Sequence, residues 1–456
     1  MEMIESSYDV ASIKYHGNQV WPFLRQIYFF QYHRASVGFA PKKKMVSWNN
    51  LRRAKNLVYG ACNWCGDYDY VLICSVELRR KLGDKYVNKD AEWLIQELGK
   101  RRVITVEFSD NGKHFKRSQV AEENVVSGDV FNMVGVLPLI SRRDSVENEH
   151  ILREINERFD LCVDYHWAIS SFFRLARAWM SLFRFWKPLT IFVSCYYSMV
   201  HQAAVFAANK CRFTVVELQH GRIGAKHFAY NIKRNLDRAF FPTYMFSYGE
   251  YVKQTFTADN KFIKRDHVLP VGNGYLEELS RSSHAPGAVK DAICHYDKSV
   301  AVTTQWSSER DLIEFIKMSA IRDERIGYVL IPRKFSNAYV DLDLPGNIML
   351  FPDLSFYQIV MCVDFHSSVC STCALEAPVL GIPNILIDLK GWASLYYGDL
   401  LADKTVTRIV STPEEYVSEI RSWKVSCRED VKRKHGSIYR CDHQDNIRRA
   451  LTIIQQ

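Results

Sequence analysis

Residues 360–388, VMCVDFHSSVCSTCALEAPVLGIPNILID, decide how this chain is read. A short apolar run gives way to a loop rich in hydroxyls, Ser367, Ser368, Ser371 and Thr372. A helical segment from Ala374 to Leu380 follows, and the apolar run Asn384 to Ile387 closes the stretch. Period and punctuation make this a strand–loop–helix–strand unit. A right-handed crossover puts such a loop and helix start at the carboxyl end of a parallel sheet, where unpaired N–H groups and the helix dipole favour an anion. The hydroxyls add donors and Glu376 adds an acceptor. That set suits a nucleotide, with phosphate on hydroxyls and amides and ribose on the carboxylate. An ordinary βαβ unit with a Ser/Thr-rich cap carries the same pattern.

The flanking sequence repeats the alternation. Val300 to Thr304, Tyr328 to Ile331 and Ile348 to Leu350 read as strands, with helices over Glu309 to Ile321 and Ser355 to Met361. Earlier in the chain, Tyr70 to Ser75, Arg102 to Phe108, Thr190 to Cys195 and Phe213 to Leu218 are strand candidates, with helices near Ala91 to Gly99 and over Met199 to Asn209. Strands alternating with helices predict an α/β chain with parallel sheets. At 456 residues it is long enough for two domains. We expect two doubly wound domains, residues 1–240 and 241–425, facing a cleft that is the default binding site, with a helical tail at 426–456 packing across the junction.

Composition narrows the function. Hydrophobic content of 47% and charged content of 24% describe an enzyme-sized globular chain. The net charge of +9 suits anionic partners, yet apart from Lys42, Lys43 and Lys44 the basic residues are scattered, which argues against nucleic acid. The acidic start, MEMIESSYDV, is not a secretory signal, and no apolar run reaches the ~20 residues of a membrane span. A cytoplasmic location is the expectation, and the 12 Cys then read as mostly buried thiols. Cys62/Cys65 and Cys370/Cys373 have metal-ligand spacing but lie far apart in unlike contexts, and Asp67 to Asp69 reads as a turn, so no metal site is expected.

A helical tract spans Asn148 to Trp186. Within it Arg174, Arg177, Arg184 and Lys187 fall inside an arc of roughly 140° at helical period. Such a helix can lie on a membrane, its basic face on anionic headgroups and Trp179, Phe183 and Trp186 in the interface. It can equally pack its aromatics into its own domain. The first reading adds peripheral contact with the cytoplasmic face of the inner membrane.

The strand Phe213 to Leu218 ends abruptly in Gln219, His220 and Gly221. An imidazole in such a turn can take a proton from an attacking hydroxyl or stabilise a leaving phosphate. It can also be satisfied by a neighbouring carbonyl. Glu77, Glu107 and Asp110 fall at or beyond the carboxyl ends of other strands, the ligand-facing side of an open α/β sheet.

Taken together, these motifs resemble the bacterial capsular-polysaccharide and surface-glycan glycosyltransferases of the GT-B type, and more distantly the teichoic-acid polymerases. The shared pattern is a (Q/W)-H-G turn, here Gln219 to Gly221. An aspartate, a Ser/Thr run and a Glu-Ala pair before a Gly-(x)-Pro strand follow, here Asp364, Ser367, Ser368, Ser371, Thr372, Glu376, Ala377, Gly381 and Pro383. A Trp-Pro-(x)-(x)-Arg pattern, Trp21 to Arg25, is similar too. The resemblance implies two Rossmann-like domains, the first on the acceptor side and the second binding the nucleotide-sugar. It implies glycosyl transfer from a nucleotide-sugar donor to a glycan or glycolipid acceptor in capsule or cell-envelope synthesis, with no cofactor because the nucleotide-sugar is a co-substrate. Donor contacts would come from Gln219, Gly221, Ser367, Ser368, Ser371, Thr372 and Glu376. His220 is the first candidate for base or leaving-group stabiliser, and Asp110 the second candidate for base. These families usually carry a His-Pro step before the Ser/Thr loop. Here Ile331 precedes Pro332, and Arg333 and Lys334 are left to supply the positive charge. Transfer of a polyol phosphate from a CDP-linked donor, sugar-nucleotide 2-epimerisation, and a non-catalytic glycan-assembly role with a decayed site stay open as alternatives.

Overall fold

The structure is a computed structural model that describes all residues except 37–55, 111, 137–144, 226, 282–285, 306–307, 336–338, 340, 425–426 and 456. Lys42 to Lys44, with residue 426 at the head of the expected tail, fall outside the described residues. The chain forms two compact units: residues 1–248 with 252–272 and 442–456, and residues 273–441 with 249–251.

The first unit is built on seven strands: Tyr70–Ser75 (β1), Val103–Phe108 (β2), Val125–Ser127 (β3), Thr190–Ser194 (β4), Thr214–Leu218 (β5), Tyr244–Ser247 (β6) and Val268–Pro270 (β7). Every pairing is parallel, and the order is β7-β6-β5-β4-β1-β2-β3. All of β2 and β4 is buried, as continuous apolar runs require when helices cover both faces. The second unit has six: Lys298–Thr303 (β8), Ile326–Ile331 (β9), Ile348–Leu350 (β10), Phe365–Ser367 (β11), Asn384–Ile387 (β12) and Thr407–Val410 (β13), all parallel in the order β10-β9-β8-β11-β12-β13. Each sheet reverses its winding once, between β1 and β4 and between β8 and β11. In doubly wound sheets ligands sit beyond the carboxyl ends of strands at that reversal.

The expected boundary after residue 240 cuts through the first sheet. β6 and β7 lie beyond it and pair Met245 with Val268, so the first unit runs on to Gly272. The expected tail also divides. The helix Arg428–Lys434 stays with the second unit, where His435 Nε2 bonds Leu375 O at 2.9 Å. The helix His443–Ile454 returns to the first, packing Ile447, Leu451 and Ile454 with Leu94, Leu98 and Phe192. Two features escape a pattern reading: the antiparallel hairpin Arg79–Leu82 with Lys85–Asn88, and a buried polar cluster beneath it. In that cluster Arg79 pairs with Glu107 and Glu122, and His114 Nδ1 lies 2.9 Å from the other Glu107 oxygen. Glu107, expected on the ligand-facing edge, is thus enclosed and fully engaged.

In the helix Tyr165–Trp186 the three aromatics expected at a membrane interface are buried. Trp179 and Phe183 are 0% exposed, Trp179 stacks on Phe131 with centroids 3.6 Å apart, and Trp186 Nε1 donates to Trp64 O at 3.0 Å. The aromatics that were to enter a bilayer interface fill the first unit instead, and only Arg177, Arg184 and Lys187 remain as an exposed basic face. Among the described residues no helix is long and apolar enough to cross a membrane.

Candidate functional site

Most of the residues that the sequence singles out lie at the two reversals or one strand away from them, one group in each unit. In the first unit, β4 ends at Ser194, and Cys195 takes a left-handed backbone (φ 63°). Ser198 then caps the helix Met199–Lys210 by accepting from His201 N at 3.2 Å. The intervening Tyr196 and Tyr197 sit beside the turn that follows β5.

In that turn Gln219 braces rather than presents. Its Oε1 accepts from Tyr248 N at 2.7 Å, its Nε2 donates to Gly221 O at 2.8 Å, and its own N–H donates to Phe246 O at 2.9 Å. The side-chain amide expected on the donor is spent on the end of β6. Gln219→Ala should therefore lower stability by about 1–3 kcal/mol, the usual cost of orphaning buried backbone groups, and urea unfolding measures it directly.

His220 is half-buried, with Nε2 3.2 Å from the Tyr197 hydroxyl and Nδ1 buried without a partner among the described residues. Burial, then the charges of Lys89 and His201, hold its pKa down to about 4. The imidazole is neutral at pH 7 and a weak base. His227 on the following loop is depressed further, to about 3, by burial and by His220, Arg222 and Arg25.

The Trp21-to-Arg25 pattern explains how this loop is held. Trp21 Nε1 and Arg25 Nε both donate to Glu5 Oε1, at 3.1 and 2.8 Å, and Arg25 Nη1 reaches Phe228 O at 2.6 Å. Beneath the turn, Glu217 is 0% exposed, accepting from Tyr230 OH at 2.7 Å and Tyr196 N at 3.1 Å. Burial pushes its pKa up to about 8. Asp110 is not brought to this place. It follows β2, three strands from β5 in the sheet order, roughly 14 Å at ordinary strand spacing.

In the second unit the hydroxyl loop divides. Ser367 Oγ accepts from Tyr416 OH at 2.8 Å inside the core, and Ser368 Oγ donates to Thr303 O at 3.1 Å while accepting from Ser371 N at 3.3 Å. Both are 0% exposed and brace the loop, and Ser368 has spent its hydroxyl proton on Thr303 O. The Ser371 amide, likewise expected on phosphate, is consumed by Ser368. Ser371, 8% exposed, accepts from Cys373 N at 3.3 Å, Thr372 is half-buried, and Arg333 and Lys334 are exposed. Arg333 N donates to Thr304 Oγ1 at 3.3 Å, joining the ends of β8 and β9. Glu376 is 4% exposed and accepts from Tyr357 OH at 3.0 Å.

The helix expected over Ala374 to Leu380 is shorter. It spans Cys373–Glu376, and a 3-10 turn Pro378–Leu380 follows, because Pro378 has no N–H to continue the ladder. Its dipole adds correspondingly little to anion binding. His366, passed over in the sequence, is 0% exposed and lies 2.9 Å from Thr303 Oγ1 and 2.8 Å from Asn384 Oδ1, knitting β8, β11 and β12. Burial lowers its pKa to about 4. Tyr197, Lys89 and Tyr357 stand in no recognisable motif of the sequence.

No protein-family model matches the chain, and no curated protein matches it in sequence. Among solved structures it is similar to the glycotransferase of kitacinnamycin, with a TM-score of 0.54 and 12% identity over 85% of this chain and 98% of that one. It is similar to UDP-GlcNAc 2-epimerase from Methanocaldococcus jannaschii, with a TM-score of 0.52 and 11% identity over 84% and 99%. The enzyme of that name from Neisseria meningitidis gives 0.50 and 13% over 84% and 100%. At such identities the likeness is one of architecture, and with the two parallel sheets it makes the fold GT-B-like, two Rossmann-like domains in one chain.

Proposed function

We propose that this protein is a glycosyltransferase that moves a sugar from a nucleotide-activated donor to a surface-glycan acceptor. One observation carries the reading. Near the winding reversal of the second sheet, half-buried Thr372 and exposed Arg333 and Lys334 are the groups a diphosphate would meet, with the buried Ser371 behind them and Glu376, bonded by Tyr357, the candidate for a ribose. Arg333 and Lys334 serve where related enzymes place a histidine, and a guanidinium or ammonium beside a departing phosphate stabilises the charge that develops there. The acceptor oxygen bonds the anomeric carbon, the carbon–oxygen bond to phosphate breaks with its electron pair on phosphate, and the acceptor's proton ends on the nucleoside diphosphate. The capsular acceptor rests on the resemblance of the Gln219-to-Gly221 turn and the Ser/Thr loop.

A second reading, sugar-nucleotide 2-epimerisation, is favoured by the two epimerases that share the architecture. It asks for carboxylates free to move a proton at C2. Of those at the strand ends of the first unit, Glu107 is bound to Arg79 and His114 and Glu217 is enclosed, which leaves exposed Glu77 and half-buried Asp110 for that role.

A thermal-shift panel of CMP, CDP, UDP, GDP and TDP tests both. The cognate nucleotide at 100 times its Kd should add about 2.7 kcal/mol of stability. A response to none of them overturns nucleotide-sugar chemistry altogether. If the cognate sugar nucleotide is altered at C2 without acceptor, the epimerase reading replaces the transferase; nucleotide release only with acceptor upholds it.

A further inference from the structure

The segment that leads into β1 places two thiols side by side. Residues Ala61–Cys65 form a 3-10 helix fastened to β3, the edge strand of the first sheet. Tyr59 O accepts from Ser127 N at 3.1 Å, Asn63 Nδ2 donates to Val125 O at 3.4 Å, and a side chain at Gly60 (φ 70°) would run into Val125 O. Trp64 stacks on Trp186 with centroids 5.6 Å apart, and Tyr68 OH donates to Asn63 O at 2.8 Å.

A 3-10 helix has three residues per turn, so side chains three apart eclipse and the helix has three faces. Asn63 takes the face toward β3 and Trp64 the face toward Trp186. Cys62 and Cys65 share the third, and both are exposed, against the expectation of mostly buried thiols. Burial, and after it Cys62, Asp67 and Cys65, raise the Tyr68 pKa, so both thiols lie near one phenol. Cys62 Sγ also donates to Asn63 Oδ1 at 3.5 Å, a weak contact that a turn of the side chain gives up. Three steps of the ordinary 3-10 rise put the two Cα atoms about 6 Å apart, inside the roughly 4.4–6.8 Å that a disulfide spans. Among the described residues no group of three or more His, Cys, Asp and Glu side chains is placed to hold a metal ion, which leaves the chemistry of the two sulfurs with each other.

We infer that Cys62 and Cys65 are a dithiol site that a small-molecule disulfide such as oxidised glutathione converts, reversibly, to an intramolecular disulfide. The site goes beyond glycosyl transfer and does not depend on it. One protein thiolate attacks the small disulfide, a mixed S–S bond forms and one glutathione leaves. The second protein thiolate attacks the protein sulfur of that bond, the internal S–S bond forms and the second glutathione leaves. The two thiol protons go to the two departing thiolates, so the protein loses two electrons and two protons and the oxidised glutathione gains them.

The test is mass spectrometry of the full chain after equilibration in a mixed glutathione buffer, with the remaining free thiols blocked. The buffer is set so that Cys62→Ser takes up glutathione at Cys65, and Cys65→Ser at Cys62, since neither variant has the second thiol that expels it. In that buffer the parent should be bridged between Cys62 and Cys65, with roughly 10-fold more bridge than mixed disulfide, and dithiothreitol should return both thiols. A parent pair that stays reduced, that carries glutathione at both positions, or that bridges to other cysteines overturns the inference. Both substitutions fall on the solvent face, and the mass of the parent decides even if a variant fails to fold.

Discussion

Glu217→Gln is expected to remove the contribution that Glu217 makes to the pH dependence of unfolding between about pH 4.5 and 8. In the unfolded chain this carboxyl ionises near its ordinary value, whereas in the folded first unit burial holds its proton up to about pH 8. Within that window Glu217 holds a proton in the folded state that it has lost in the unfolded state, so its contribution to stability falls as pH rises, by about 1.4 kcal/mol per unit. The contribution is full below pH 4.5 and gone above pH 8. Across the window it amounts to something on the order of 5 kcal/mol. The amide cannot ionise and keeps the acceptor for Tyr230 OH and Tyr196 N. Urea unfolding at pH 5, 6.5 and 8 should show the variant gaining on the parent at each step; parallel curves would show that Glu217 is ionised throughout.

Arg79→Ala should cost the first unit about 3–5 kcal/mol, the range found when one partner is removed from a buried ion pair. Arg79 and Glu107 have side chains 0% exposed, and Glu122 lies 2.6 Å from Nη1 with its side chain 2% exposed. Even with Arg79 present, burial raises the Glu122 pKa. Without it two carboxylates stay enclosed with only His114 beside Glu107 as a potential counter-charge. Adding Glu107→Gln and Glu122→Gln to the arginine variant should recover part of the loss, because the stranded charges go with them. If the single variant unfolds within 0.5 kcal/mol of the parent in urea, water reaches the cluster and the burial argument fails.

Much of the fold could be read because buried parallel strands leave continuous apolar runs. The apolar runs Tyr70–Ser75, Ile348–Leu350 and Asn384–Ile387 coincide with strands residue for residue. What could not be read depends on direction and on distant pairing. Ser367 and Ser368 look alike in a hydroxyl-rich run, yet neighbouring residues leaving a strand face opposite ways, and one meets Tyr416 while the other meets Thr303. Tyr197 reaches His220 only because β4 and β5 pair in register, Ser194 opposite Leu218, and no spacing rule encodes that. The hairpin at 79–88 was missed because its strands are four residues each and mostly charged or polar. His366 shows the converse: a histidine inside a strand carries no mark that separates a ligand from a buried tie.

The return of the helix His443–Ile454 to the first unit bears on how the protein is made. Its apolar face completes a core whose strands lie within residues 70–271, and the whole second unit is translated in between. At ordinary elongation rates, roughly 10–40 s separate the emergence of Gly272 from that of the closing helix. For that interval the nascent first unit shows the ribosome's surroundings an uncovered apolar face formed by Leu94, Leu98 and their neighbours. Chains stopped before residue 443 are therefore expected to aggregate, which sedimentation of such truncations would check.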